Sequence, residues 1–337
     1  MKEQIYYFER LRIIAAFAVV VLHISAGELF NYSIGALQWD LFNILDSATR
    51  FAVPVFVMIS GALFLNPERR IEIKDIFSKY LLRIAVAFVL FSSFYSIAYF
   101  MGDLKIAIKN FVFGHYHMWY LYMISGLYLS VPVLRRITES SILTKYFLFL
   151  SVFFTFLIPF ISKFSGMHWL SEVCDRTNFS LVFGYQAYFV GGYYLGKSEF
   201  KKTQRLAIYI LGIVSFVLTV VLTGRFSSVS GKLYDGFYSY FSLTVLLMSI
   251  AVFVFAKYNL AKLPSTSVKQ KLLTVLSKLS FGIYLVHPYI IERIDCFKVL
   301  EFMPWYIGWA GKAVIVFVIS GVLTCFLRKI PFLNRIF

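Results

Sequence analysis

The chain has 337 residues, of which 60% are hydrophobic and 15% are charged, and its formal net charge is +16. Soluble globular domains are much less apolar than this, so the composition indicates an integral membrane protein. The excess of Lys and Arg does not indicate nucleic-acid binding, because these residues lie in short connections between apolar runs rather than on one polar face. The three cysteines form no CxxC pair and no zinc-type spacing with histidine, so we expect no bound metal.

Apolar runs of about 18 residues recur along the chain, and this is the length that crosses hydrocarbon as a helix. Strands of an outer-membrane barrel would alternate with period two, and runs such as 206–223 and 238–256 do not. The sequence therefore predicts an all-α fold, a polytopic transmembrane helical bundle that forms one domain over residues 1–337 without a soluble domain. The ten predicted spans are 11–27, 48–65, 80–101, 118–135, 145–162, 180–196, 205–223, 237–256, 279–293 and 306–327.

The connections between these spans differ in charge. If the N-terminus is cytoplasmic, the cytoplasmic segments hold 23 Lys and Arg residues and the opposite side holds nine. Cytoplasmic connections of membrane proteins carry such an excess of Lys and Arg. We therefore predict that both termini are cytoplasmic.

The first predicted span contains an ionisable residue, His23. Ionisable groups are unfavourable in hydrocarbon, so they usually mark a functional site or a buried pair. Arg12 lies eleven residues earlier, which in a helix is within about 20° of the same face and roughly 16 Å along the axis. We expect Arg12 at the cytoplasmic mouth and His23 near the middle of the bilayer, both facing one groove. The alternative is an arginine that only anchors the span and a core histidine bonded to a neighbouring helix.

A second polar segment lies in the ninth predicted span, where Ser280, Tyr284 and His287 precede Pro288. Proline removes a backbone donor and opens a helix, so we expect the carbonyls near Tyr284 to be available to a ligand or to Ser280. This pattern favours a binding site that includes His287. Proline kinks also occur in membrane helices without a binding role, so a structural role is the alternative.

His117 and Trp119 lie at the outer end of the fourth predicted span. Trp and Tyr at a membrane interface are usually belt residues, and this is one interpretation of Trp119. The other is a lining for a sugar acceptor, because aromatic faces stack on the apolar side of sugar rings. His117, which follows His115 by two residues, is a candidate for the polar part of such a lining.

Arg83 falls one turn inside the third predicted span, where a guanidinium needs a partner. A phosphate oxygen would satisfy it through bidentate hydrogen bonds. Together with Arg12, it is a candidate seat for the phosphates of a nucleotide-type cofactor. The neighbouring cations, such as Arg69 and Arg70, are explained by topology alone.

Four segments resemble the recurring segments of the acyltransferase family 3 proteins, in the order of that family. They are residues 7–12 followed by His23, residues 56–61, residues 117–120 and residues 280–288. The resemblance extends over nearly the whole chain, and the closest likeness is to stand-alone enzymes similar to the enterobacterial common antigen O-acetyltransferase. Glu9 stands where many members have Asp, a difference that keeps the charge, and residues after the last span do not add the esterase-like domain of some members.

The resemblance implies a multi-pass O-acetyltransferase of a bacterial inner membrane, surrounded by membrane lipids. Acetyl-CoA would be the acyl donor, with its phosphates near Arg12 and Arg83, and a glycan or lipid-linked saccharide would be the acceptor. His23 would act either as general base or as an acetyl carrier. The rival interpretations are a transporter or flippase of a glycan or glycolipid, with His23 and His287 as proton-relay groups, and a membrane sensor or scaffold. Neither the acceptor nor the oligomeric state follows from the sequence.

Overall fold

A computed structural model describes residues 2–100, 102–164, 166–167, 169–176, 184–263, 266–296 and 304–336. These residues contain helices and no strand, which confirms the predicted all-α class. The helices are α1 Lys2–Glu28, α2 Leu37–Thr49, α3 Ala52–Phe64, α4 Ile73–Ala98, α5 Leu104–Phe113, α6 Trp119–Glu139, α7 Ser141–Ile161, α8 Trp169–Arg176, α9 Gln186–Lys197, α10 Lys202–Ser230, α11 Leu243–Tyr258, α12 Ser267–Cys296 and α13 Trp305–Leu327.

Eight helical segments among the described residues are long and apolar enough to cross a membrane, so the protein is a multi-pass membrane protein. The other two predicted spans overlap α6 and α9, of which α9 has only 12 described residues. The count of ten and the orientation therefore stay predictions. The eight segments are Tyr6–Glu28, Leu37–Phe64, Ile73–Ala98, Ser141–Ile161, Lys202–Ser230, Leu243–Lys262, Ser267–Asp295 and Trp305–Leu327.

The first helix lies inside the bundle, because α1 packs against α2, α3, α11, α12 and α13. Its buried residues include Leu11, Ala15 and Val20, each fully shielded from solvent. A helix that is apolar on nearly every face is suited to such a central position. Glu9 accepts hydrogen bonds from side chains near the start of α12, and His23 lies beside His287 further along, so the two helices run parallel.

Two glycines allow the backbones of α3 and α9 to touch. A Cβ atom at Gly61 would lie 1.8 Å from the carbonyl oxygen of Phe189, and one at Gly192 would lie 2.0 Å from that of Met58. No side chain fits at those distances. Small residues at helix contacts in membranes favour this close packing.

Candidate active site

A cavity of about 600 Å³ lies between α1, α3, α4, α6 and α12. Seven of the residues singled out in the sequence line it, although they come from four separate helices and one turn. The eighth, His287, lies directly behind the lining against His23. The seven are Arg12, His23, Arg83, His117, Trp119, Ser280 and Tyr284.

One end of the cavity is strongly cationic. Arg12, Arg83, Lys278 and Arg328 all line it, and none of the described lining residues is Asp or Glu. These residues lie toward the end at which α1 and α12 begin. Such a concentration of positive charge in the lining favours binding of an anion.

The two arginines named from the sequence are held differently. Arg12 makes no hydrogen bond or salt bridge with the described residues, so its guanidinium donors face the cavity. Arg83 donates from Nε to the carbonyl oxygen of Ile336 at 2.5 Å, and its guanidinium carbon lies 5.4 Å from the ring centroid of Phe281. These contacts orient Arg83, whose side chain lines the cavity.

The histidine rings of three segments meet at the other end of the cavity. The ring centroids of His23 and His287 are 5.1 Å apart, and those of His287 and His117 are 5.7 Å apart. Nδ1 of His287 lies 2.9 Å from the carbonyl oxygen of Tyr284. Because a carbonyl oxygen only accepts, that Nδ1 carries the proton, and Nε2 of neutral His287 is an acceptor.

The structure corrects the expectation for Pro288. Helix α12 continues through the proline to Cys296 rather than opening into a ligand site. The Tyr284 carbonyl accepts its hydrogen bond from His287, while Ser280 donates to the carbonyl oxygen of Ser277 at 2.7 Å. The imidazole of His287 therefore donates the hydrogen bond that the missing backbone N–H of Pro288 would have donated. Neither a ligand nor Ser280 takes that place.

Aromatic rings surround the cavity near His117. The ring of Trp119 lies 5.8 Å from the rings of both Tyr185 and Tyr240. The hydroxyl of Tyr284 donates to the carbonyl oxygen of His117 at 2.6 Å, which joins α12 to the turn before α6. Trp119 lines the cavity and is 37% exposed.

Comparison with known families decides between an enzyme and a transporter for this arrangement. The family described as "Acyltransferase domain", acyltransferase 3, matches residues 5–328, nearly the whole chain. The chain belongs to the acyltransferase 3 family. No curated protein and no solved structure gave a significant match.

The protein is therefore a multi-pass membrane acyltransferase. The family match does not single out one kind of member, so the likeness to the enterobacterial common antigen O-acetyltransferase stays a prediction. The roles of the individual cavity residues likewise stay predictions, although the structure brings those residues together.

The sequence interpretation missed a buried ion pair in this acyltransferase. Residues 28–47 were expected to form a polar connection, yet Leu37–Thr49 is helical and carries Asp46, which is fully buried. Asp46 accepts hydrogen bonds from Nε and Nη2 of Arg50, whose guanidinium lies 4.4 Å from the ring centroid of Tyr238. The signal available was the spacing of an acid and a base four residues apart at the start of an apolar run.

A second acid–base group lies at the end of the bundle opposite the cationic end. Lys312, which lies within the predicted span 306–327, is 2.6 Å from a carboxylate oxygen of Asp295 and 3.9 Å from one of Glu28. These contacts join α1, α12 and α13. The lysine is thus paired, as expected for a cation inside a span.

No three His, Cys, Asp or Glu side chains of the described part of the chain converge as metal ligands. The side chains of Cys174 and Cys296, which the predicted topology places on the same side of the membrane, lie outside the described residues. Cys325 is a free, exposed thiol on α13.

Proposed function

We propose that the protein is an acetyl-CoA-dependent O-acetyltransferase that modifies hydroxyls of a cell-surface glycan or its lipid-linked precursor at a bacterial cytoplasmic membrane. The observation that carries the proposal is the single cavity that joins a cationic end to His23. Acetyl-CoA has anionic phosphates at one end and its thioester at the other, so it matches a site with cations at one end and an imidazole beyond them. Family membership favours acyl transfer over the transporter alternative.

The phosphates of the donor are assigned to Arg12 and Arg83, with Lys278 and Arg328 adding to the positive potential. Arginine binds phosphate through a planar pair of N–H groups, and this geometry fixes direction as well as charge. The thioester would then extend along the cavity toward His23. The guanidinium donors of Arg12 have no hydrogen-bond partner among the described residues, and this supports the assignment.

The acceptor is assigned to the aromatic end of the cavity. Trp119 and Tyr240 present rings there, with Tyr185 packed beside both, and His117 supplies a polar edge. Sugar rings offer apolar faces to aromatic side chains and hydroxyls to polar ones. A saccharide bound at this end would bring a hydroxyl toward His23.

His23 is the proposed general base. It takes the proton from the acceptor hydroxyl while the hydroxyl oxygen attacks the thioester carbonyl carbon. The carbon–oxygen bond forms, the carbon–sulfur bond breaks, and the thiolate of CoA leaves with the bonding electrons and takes up a proton. The products are the acetyl ester and CoA.

The proposal is tested with purified protein, radiolabelled acetyl-CoA and fractions of lipid-linked and polymeric glycans. We expect label in a glycan fraction as an alkali-labile ester. His23→Ala should lower transfer by about a hundredfold or more, since that is the contribution of a positioned base. Membrane insertion should be unchanged, because alanine is easily accommodated in a span.

Equal transfer by wild type and His23→Ala at matched protein levels would contradict the catalytic assignment. Label retained on the protein itself in the absence of acceptor, and lost in His23→Ala, would replace direct transfer by an acetyl-histidine intermediate.

A further inference from the structure

Four histidines and a glutamate form a continuous series that begins at His23. The rings of His23, His287 and His117 follow one another at centroid distances of 5.1 and 5.7 Å. Nδ1 of His117 lies 3.2 Å from Nδ1 of His115, and Nε2 of His115 lies 3.5 Å from a carboxylate oxygen of Glu292. The series contains four of the five histidines in the chain.

The series leads from a buried to an accessible position. The side chains of His287 and His117 are 0% and 1% exposed, whereas that of Glu292 is 35% exposed. Glu292 also lies beyond His287 along α12, away from Lys278 and the cationic end. The series therefore leads from the proposed base toward the end of the bundle opposite the one assigned to acetyl-CoA, where α12 ends.

One arrangement of the imidazole protons is consistent with these contacts. Nδ1 of His287 is occupied by backbone carbonyls, and Nε2 of both His287 and His117 has no hydrogen-bond partner among the described residues. A neutral imidazole has one donor and one acceptor nitrogen. Nε2 of His115 lies 3.5 Å from the Glu292 carboxylate, which only accepts, so the proton of neutral His115 is placed on Nε2. Nδ1 of His115 is then the acceptor, and Nδ1 of His117 donates to it.

Buried ring nitrogens without partners are unusual and call for an explanation. Here the two orphaned Nε2 atoms belong to neighbouring rings between His23 and His115. A small ring rotation or a single bridging water suffices to connect such rings. Each Nε2 is then the position at which a proton arrives.

We propose that His287, His117, His115 and Glu292 form a proton path that removes the proton from His23 after acyl transfer. The inference rests on the proposed role of His23 as the base. The proton passes to Nε2 of His287, from there to Nε2 of His117, from Nδ1 of His117 to Nδ1 of His115, and from Nε2 of His115 to Glu292 and water.

The overall reaction stays balanced. The acceptor hydroxyl loses one proton, which leaves at the Glu292 end, and the CoA thiolate gains one proton from water at the cationic end. The acetyl group moves from sulfur to oxygen without any change in oxidation state. One proton is thus released on one face and one is taken up on the other in each turnover.

Tyrosines hold the accessible end of the path in place. The ring of His115 stacks on Tyr95 at 4.2 Å and on Tyr99 at 5.4 Å, with interplanar angles of 10° and 15°. Tyr99 donates its hydroxyl proton to Glu292, and Tyr116 lies against the ring of His115. Among the described residues, the ionisable groups in direct contact with the His115 ring are these tyrosines, His117 and Glu292, with His23 and His287 further along the series, and no Lys or Arg is in contact with the ring.

The test compares His115→Ala and Glu292→Gln with Tyr95→Phe, which removes a hydroxyl from the same cluster but no member of the path. We expect kcat of the first two to fall by about a hundredfold in weak buffer, the lower part of the range for proton-transfer groups. Their KM for acetyl-CoA should be unchanged, because neither residue lines the cavity. Added imidazole should restore kcat, since a small base in solution replaces the missing carrier. Tyr95→Phe should match the wild type.

Full activity of His115→Ala, alongside an inactive His23→Ala, would overturn the path and leave the proposed function intact. A loss of kcat that imidazole does not restore would also overturn it, because a purely structural defect is not repaired by a base.

A second measurement does not depend on acyl transfer. Side-chain nitrogen NMR of histidine-labelled protein, with five histidines in the chain, reports the exchange of the imidazole protons with water. We expect exchange at His23 and His287 to slow in His115→Ala and Glu292→Gln, and not in Tyr95→Phe. Unchanged exchange in both path variants would overturn the path. If the wild type transfers no acetyl group at all, the proposed function fails. The exchange rates of the imidazole protons then decide by themselves whether the proton path exists.

Discussion

Arg12 and Arg83 supply the cavity with guanidinium groups that differ from the surface arginines around them. If they bind phosphates, Arg12→Lys and Arg83→Lys should weaken acetyl-CoA binding even though the charge is kept, because lysine replaces a planar pair of donors by a point charge. We expect about a tenfold weakening for each variant, or about 1.4 kcal/mol. Titration of acetyl-CoA against purified protein measures it.

The control for this prediction is Arg70→Lys. The Arg70 side chain is 90% exposed and its partner is the exposed Glu72, so the substitution should leave acetyl-CoA affinity unchanged. An equal response of Arg70→Lys and Arg12→Lys, or a change in acceptor affinity alone, would remove the phosphate assignment.

The buried Asp46–Arg50 pair gives a prediction about stability. Asp46→Ala should lower the free energy of unfolding by about 3–5 kcal/mol, because Arg50 is then left as an uncompensated charge in the bundle. Asp46→Leu combined with Arg50→Met should cost much less, since a buried ion pair replaced by apolar residues of similar volume is often close to neutral. Thermal unfolding in detergent compares the two proteins. Equal losses in both would show that the ion pair itself provides net stabilisation.

Sequence reasoning located the individual cavity residues better than it located their partners. Arg12 and His23 are related by helical spacing within one segment, which the sequence contains in full. The contact of His287 with His23 depends on the packing of α12 against α1, about 260 residues apart, and no local pattern encodes that. Asp46 was missed because a polar residue in a short connection and one in a buried helix look alike until their neighbours are known.

The packing of α3 against α9 depends on two positions. Gly61→Ala should lower the free energy of unfolding by at least about 1–3 kcal/mol, as expected for overpacking, because the new methyl group meets a backbone carbonyl that does not move aside. Gly126→Ala is the matched control, since a Cβ atom there meets nothing within 4 Å and alanine favours a helix by about 1 kcal/mol. Thermal unfolding in detergent measures the stability of both variants. Similar stability of the two variants would show that the helices separate easily.

Helix type was easier to predict than helix limits. The long apolar runs were recognised correctly because length and continuity suffice to identify a spanning helix. The limits differ where helices continue past the apolar run, as α12 does from Ser267 to Cys296 around the predicted span 279–293. The side chains that fill these extra turns, including Lys278 and Asp295, lie in the region that a hydropathy window excludes.

The arrangement of the whole chain across the membrane stays a prediction that three cysteines test. With both termini cytoplasmic, Cys174 and Cys296 lie on the opposite side, and Cys325 lies near the cytoplasmic end of the last span. A membrane-impermeant thiol reagent applied to intact cells should label Cys174 and Cys296 in single-cysteine variants, and should label Cys325 only after permeabilisation. The reverse pattern would invert the topology.

The same cysteines decide whether a disulfide is present. In the proposed bacterial inner membrane and with the predicted topology, both cysteines face the oxidising side, so a bond between Cys174 and Cys296 is feasible. Denatured, unreduced protein with both cysteines intact would then resist labelling at these two positions, and reduction would restore it. Full labelling without a reductant would exclude the bond.

The contact of Gly61 with the backbone of α9 also constrains how the protein is made. About 130 residues separate the two glycines, and at roughly 5–20 residues per second the ribosome needs on the order of ten seconds to add them. During that time α3 is already in the membrane and its glycine surface has no partner except lipid or the insertion machinery. The core of the bundle is therefore completed late in synthesis, and the ribosome has produced more than half of the chain before α3 meets the surface it is shaped to fit.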